Sequence, residues 1–155
     1  MRAVTCLVLV ASALLFNQSS PLRAEKFGDW ETGFDQGFLQ YFVENGAANT
    51  FAINCDVGRT GSGEETYVVV HINGKDPAPR SLVTVVLDGE KIQLPVDDVG
   101  DVKMHCPGCS STFEHLWKKL RESKTMTVRL ESGQSSRFSL KGAQHALQRE
   151  VCGPK

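Results

Sequence analysis

Leu82-Val83-Thr84-Val85-Val86-Leu87-Asp88-Gly89-Glu90-Lys91-Ile92-Gln93-Leu94-Pro95 reads as two strands folded back on each other. Leu82 to Leu87 is rich in valine, which suits a pleated, half-buried surface. Asp88-Gly89 is a dipeptide that accepts positive φ at both central turn positions, so it closes a tight hairpin into Lys91 to Pro95. An antiparallel pair in the middle of the chain sets the fold class, and the neighbouring segments are read around it.

Upstream, Thr50 to Val57 alternates and puts Phe51, Ile53, Cys55 and Val57 on one face, the period of a half-buried strand. Thr66 to Ile72 is β-branched and ends at an Asn73-Gly74 turn. Phe38 to Val43 is a short aromatic-rich run, and Phe27-Gly28-Asp29-Trp30 opens the domain with Trp30 as a buried anchor. Gly58 to Gly63 reads as a glycine-rich loop, and a second loop carries Pro77 and Pro79 up to Arg80. Val99 to Met104 is read as one more strand.

Downstream, Ser111 and Glu114 have capping-box spacing, with Ser111 expected at the cap. Phe113, Leu116, Trp117 and Leu120 then recur at i, i+3, i+4 and i+7, one apolar helix stripe. Lys118, Lys119 and Arg121 follow at the end where the helix dipole favours cations. Thr125 to Leu130 returns to strand, Ser132-Gly133 turns the chain, Arg137 to Leu140 pairs back, and Gly142 precedes a short helix over Ala143 to Val151. The expected class is α+β, mostly β: an antiparallel sheet or sandwich, one helix after Cys106-Pro107-Gly108-Cys109 and a short C-terminal helix.

The chain opens with Met1-Arg2 and an apolar run from Ala3 to Phe16. One positive charge before about a dozen apolar residues is the pattern of a signal peptide, and the run is shorter than the ~20 residues a membrane span needs. Residues 1–24 are read as that signal, cut after Ala24, leaving 25–155 as one exported domain of the periplasm or the exterior, in a bacterial setting. Without Arg2 and Arg23 the 17 basic residues become 15 against 18 acidic ones, a net charge of −3. That balance argues against nucleic acid as a partner, and no later apolar run is long enough to span a bilayer.

Loss of Cys6 with the signal leaves Cys55, Cys106, Cys109 and Cys152. An even count in an oxidising compartment indicates two disulfides, and four cysteines allow three pairings. Cys106–Cys109 with Cys55–Cys152 is favoured, because it staples the C-terminal helix to an early strand. The competing chemistry is redox: a C-x-x-C at a helix N-terminus can lower a thiol pKa. No proline lies between Pro107 and Pro154 to supply the cis-proline strand that thioredoxin-like folds place beside the motif. A metal reading would use His105, Cys106, Cys109 and His115, but cysteines in an oxidising compartment oxidise more readily than they hold zinc. His71, His145, Ser110 and Ser111 have no adjacent partner for nucleophilic catalysis. Asp97-Asp98 with Asp101, and Glu64-Glu65, are acidic loops without EF-hand spacing.

Leu116 to Leu120, Met126-Thr127-Val128, Phe138-Ser139-Leu140-Lys141-Gly142 and Ala146-Leu147, with Phe27-Gly28-Asp29-Trp30 in front, form a cadence. It resembles the invasion-associated locus B family of exported bacterial proteins. The resemblance implies a small, mostly β periplasmic domain without known catalysis, linked to interaction with host cells. Here no cysteine follows the opening motif before Cys55.

The functional expectation is a non-enzymatic, disulfide-stabilised binding or envelope-accessory module with a protein partner and no cofactor or metal. Its candidate surfaces are the Gly58–Gly63 loop, the Asp76–Arg80 loop, and aromatics among Phe34, Phe38 and Tyr41. A periplasmic inhibitor of lysozyme or another hydrolase is one specific form of it. The alternative is a thiol–disulfide oxidoreductase built on Cys106 and Cys109.

Overall fold

The computed structural model describes residues 24–58, 65–104 and 109–152. All of the signal segment read in residues 1–24 except Ala24, most of the glycine-rich loop, Glu64, His105 and Cys106 lie outside these residues. Ten strands and two helices follow in the order β1 (Glu25–Phe27), β2 (Trp30–Asp35), β3 (Phe38–Glu44), β4 (Thr50–Asp56), β5 (Tyr67–His71), β6 (Leu82–Leu87), β7 (Glu90–Pro95), β8 (Val102–Lys103), α1 (Cys109–Glu122), β9 (Met126–Leu130), β10 (Ser135–Phe138) and α2 (Ala143–Ala146). The protein is α+β and mostly β.

The strands form two antiparallel sheets, one of six strands in the order β1-β2-β3-β4-β5-β8 and one of four in the order β10-β9-β6-β7. The Asp88-Gly89 hairpin forms as the sequence indicates: Leu87 pairs with Glu90, and Asp88 and Gly89 sit at φ 48° and 91°. Its carboxylate also accepts hydrogen bonds from the Lys124 and Thr125 amides and the Thr125 hydroxyl, at 2.9–3.1 Å. The turn therefore holds the start of β9 against the end of β6, and Leu87 pairs with Met126.

The alternation read along β4 becomes a register across the larger sheet. Trp30, Val43, Phe51 and Val70 are successive neighbours, as are Tyr41, Ile53, Val68 and Val102, and all eight are buried. The smaller sheet contributes Val83, Val85, Leu87, Ile92, Leu94, Met126 and Val128 to the same core. Phe51 meets Phe138 across the sheets with ring centroids 6.4 Å apart. The apolar stripe of α1 completes it: Phe113, Leu116, Trp117 and Leu120 are buried, and Trp117 packs edge-on to Tyr41 at 5.1 Å. Burying each such large side chain stabilises the fold by about 1.5–3 kcal/mol relative to leaving it in water.

Four local expectations are corrected. The strand read at Val99–Met104 shrinks to Val102–Lys103, because Asp97 closes a turn instead: its Oδ1 accepts the amides of Val99 and Asp101 at 2.9 Å. Val99 stands 75% exposed. Helix α1 begins at Cys109, two residues before the expected cap, so Ser111 lies inside its first turn. Burial of Cys109, which is disulfide-bonded, favours drawing that turn into the helix. The helix expected over Ala143–Val151 is the single turn Ala143–Ala146. Leu147 leaves the helical region, at ψ 121°, and the carbonyls beyond the turn are bound from α1: Trp117 Nε1 donates to Gln148 O at 2.8 Å and Arg121 Nε to Leu147 O at 3.1 Å. Finally, β10 is Ser135–Phe138, two residues upstream of the strand read at Arg137–Leu140, because the main chain of 139–142 meets the opening turn.

That meeting joins the two most distinctive motifs of the sequence. Asp29 N donates to Lys141 O, Trp30 Nε1 to Ser139 O (both 2.9 Å), and the Ser139 hydroxyl to the Asp29 carboxylate at 2.7 Å. Gly142 sits at φ 93°, and a Cβ there would come within 1.7 Å of Phe27 O. Glycine is required by both the backbone conformation and the close approach. The opening Phe27–Trp30 turn and the Phe138–Gly142 segment are thus two halves of one lock.

Candidate functional site

Because successive side chains of a strand alternate, the outer face of the six-stranded sheet follows from the register. One row runs Glu31, Phe42, Ala52, Val69; the next runs Gly33, Gln40, Asn54, Tyr67, Lys103; a third holds Asp35, Phe38 and Asp56. Phe42, Ala52, Val69, Gln40 and Tyr67 are half-buried, whereas Asn54 and Asp56 are buried. Gln40 Nε2 donates to Asn54 Oδ1 at 2.9 Å, which fixes both amides. Tyr67 packs edge-on against Phe38 at 5.5 Å.

Two depressions open on this face. One, of about 470 Å³, is bordered by Asp35, Phe38, Gln40, Tyr67, Asp101 and Lys103. The other, of about 380 Å³, is bordered by Lys26, Asp29, Glu31, Phe42 and Glu44. Each combines an aromatic side chain with carboxylates. Burial first, then the negative charges of Asp101, Asp35 and Glu65, hold the Tyr67 phenol above its ordinary pKa.

Electrostatics divides the molecule. The six strands of this sheet carry Glu25, Glu31, Asp35, Glu44 and Asp56 against Lys26 and Lys103, whereas α1, β9 and β10 carry Lys118, Lys119, Arg121, Arg129 and Arg137 against Glu114 and Glu122. Both lysines of the sheet are engaged, Lys26 with Glu31 at 2.8 Å and Lys103 with Asp97 at 3.2 Å. Asp35 and Glu44 make no ion pair among the described residues.

The residues singled out by sequence fall as follows. Cys55 and Cys152 form a disulfide with Cα atoms 5.4 Å apart. Cys109 is also disulfide-bonded and buried at the start of α1, and its supposed partner Cys106 lies outside the described residues. A thiol in a disulfide is no zinc ligand, so the His105, Cys106, Cys109, His115 set loses a member. His115 Nε2 pairs with Glu90 Oε1 at 2.5 Å, and Lys119 holds the other oxygen at 2.6 Å. Among the described residues no group of three or more His, Cys, Asp or Glu side chains is placed to hold a metal. His71 pairs with Asp76. His145 is exposed in α2, Ser110 and Ser111 are exposed in the first turn of α1, and Glu65 is exposed ahead of β5. Asp97 and Asp98 serve structure, the first in its turn and the second with Arg80.

The aromatic set is corrected. Tyr41 is fully buried on the inner face and Phe38 is 8% exposed, so of the three only Phe34, at 40%, presents a large surface. The proline loop lines a third cavity of about 380 Å³ with His71 and Val99. Reading by sequence missed Phe42, Val69 and Tyr67 on the two outer rows. The alternation along β3 and β5 was the available signal, but which face of the sheet turns outward was not.

A disulfide-bearing β-rich domain, with one sheet face turned into the core and the other acidic and open, is the class these features define. The YfjT family model matches residues 28–147, and the chain belongs to the YfjT family. This overturns the resemblance to invasion-associated locus B proteins: an amphipathic helix, a hairpin and a glycine-ended lock recur wherever this local packing is needed, so their cadence does not distinguish the two. The match begins at Gly28 and ends at Leu147, so it takes in the Phe138–Gly142 half of the lock and all of the opening half but Phe27. Searches of curated proteins and of solved structures gave no match.

Proposed function

We propose that the protein is an exported, non-enzymatic binding module that engages a protein partner through the outer face of its six-stranded sheet, in the periplasm or outside the cell. The observation that carries the reading is the contrast between the faces of that sheet. The inner rows are buried, whereas the outer rows expose parts of Phe42, Val69 and Tyr67 beside two cavities, with no described helix or strand packed over them. Apolar surface ringed by polar side chains is the composition of a protein-binding patch. The cysteines act as staples in this reading, and the exported setting keeps them oxidised.

The test is site-specific photocrosslinking in the producing cells. A photoreactive phenylalanine replaces Phe42 in one variant and Arg129, on the opposite sheet, in another. Adducts of one discrete mass from position 42 and none from position 129 are expected. Equal labelling from both positions, or none from 42, rejects the assignment of the face.

A further inference from the structure

The outer face differs from an ordinary solvated sheet surface in its charge, and the difference says what would cover it. Its carboxylates belong to different strands, and the two lysines among them are already used by Glu31 and Asp97. Asp35, at the end of β2, and Asp101, just before β8, border the same cavity as the half-buried Tyr67 ring. Gln40 lies on the floor, its amide nitrogen committed to Asn54. A cationic side chain entering there meets a carboxylate from either side and an aromatic ring, the surroundings that hold guanidinium and ammonium groups in place. The second cavity sets Phe42 beside Glu44, its Glu31 being paired with Lys26.

We infer that this face takes a basic protein surface, with an arginine or lysine side chain of the partner seated in the cavity bordered by Asp35, Tyr67 and Asp101. The inference rests on the binding reading above and names the chemistry of the partner. The occupant is a separate protein with a basic surface; a second copy of this chain, whose Lys118, Arg129 and Arg137 also form a basic side, is an outcome that the test distinguishes.

The test is an amide NMR titration of the oxidised protein with two probes, acetyl-Arg-Gly-Arg-amide and acetyl-Glu-Gly-Glu-amide. The expected result is saturable shifts at Asp35, Gln40, Tyr67 and Asp101 with the arginine peptide alone. They should weaken severalfold on raising salt from about 0.05 to 0.5 M, which shortens the screening length to a few ångströms. Asp35→Asn combined with Asp101→Asn should weaken the peptide at least roughly fivefold, a loss of favourable charge pairing. Both residues are exposed, so an otherwise unchanged spectrum verifies the fold. Absence of shifts, equal shifts with the glutamate peptide, or shifts gathered at Glu114 and Glu122 overturn the inference. Shifts that track protein concentration without peptide assign the face to a second copy and overturn it as well. A crosslink from position 42 without arginine binding leaves the binding reading standing and removes only the basic partner.

Discussion

Removal of the Cys55–Cys152 bridge is a perturbation whose size can be worked out in advance. The bond joins residues 97 apart in sequence, so it closes the chain from β4 to the C-terminal segment into one loop. In the chain-entropy treatment a loop of this length loses about 16 cal/mol/K on cross-linking, or about 4–5 kcal/mol at 25 °C. A single domain has about 5–15 kcal/mol of stability in total, so the bridge accounts for a large share. Cys55→Ala with Cys152→Ala leaves the Cys109 disulfide in place and tests this bridge alone. For a domain of this size about 1 kcal/mol corresponds to roughly 3–5 °C, so the melting temperature should fall by about 15–20 °C. In urea the midpoint should drop by about 2 M, and the slope m should rise because the unfolded chain becomes more expanded. The C-terminus would then hang on the Trp117–Gln148 and Arg121–Leu147 hydrogen bonds. A loss under about 1 kcal/mol with m unchanged would refute the argument, for it would mean that the crosslink constrains little of the unfolded chain.

Three further outcomes are expected. Tyr41 has a buried hydroxyl with no hydrogen-bond partner among the described residues, and burial pushes its pKa up to about 12. Tyr41→Phe should therefore raise stability, by about 1 kcal/mol, because a buried polar group without a partner is costly; a loss in urea titration would show that the hydroxyl is satisfied. Gly142→Ala forces a Cβ against Phe27 O at a positive φ, and should cost more than about 2 kcal/mol or abolish folding, read by circular dichroism and thermal melting; a neutral result would dissolve the proposed lock between the two motifs. Hydrogen bonds from the Lys124 amide, the Thr125 hydroxyl and the Thr125 amide, in that order, hold the Asp88 carboxyl below its ordinary pKa. A depressed folded-state pKa contributes stability above the unfolded value that is lost as pH falls through the folded one. Asp88→Asn keeps a residue that tolerates the turn, so stability curves of the two proteins should separate at neutral pH and converge in acid; parallel curves down to pH 2 would deny the carboxylate that role.

Hairpins and amphipathic stripes were legible because they depend on neighbours. Asp88-Gly89 and Asn73-Gly74 carry their own backbone geometry, both pairs standing at positive φ. Phe113, Leu116, Trp117 and Leu120 share a helix face whatever lies beneath it. Boundaries failed where contacts outside the pattern intervened: past the extended Leu147 the chain is bound by Trp117 and Arg121 instead of continuing α2, and the strand at Val99 gives way to the turn closed by Asp97. The candidate site was largely hidden for the same reason. Period two says that Gln40 and Phe42 lie on the face opposite Tyr41, but not which face meets the core.

Amino-acid order alone thus determined the mostly β class, the hairpins, the helix stripe and the alternation of the strands, since each is set within a few residues by backbone sterics and local periodicity. Tertiary structure alone decided the rest. It selected the partner of Cys55 from three formal pairings by bringing Cys152 to a Cα distance of 5.4 Å. It clasped the opening turn to the 139–142 segment, and it turned the acidic rows of the six-stranded sheet outward. Those outcomes depend on contacts between residues far apart in the chain, and such contacts exist only once the two sheets and α1 have closed on a common core.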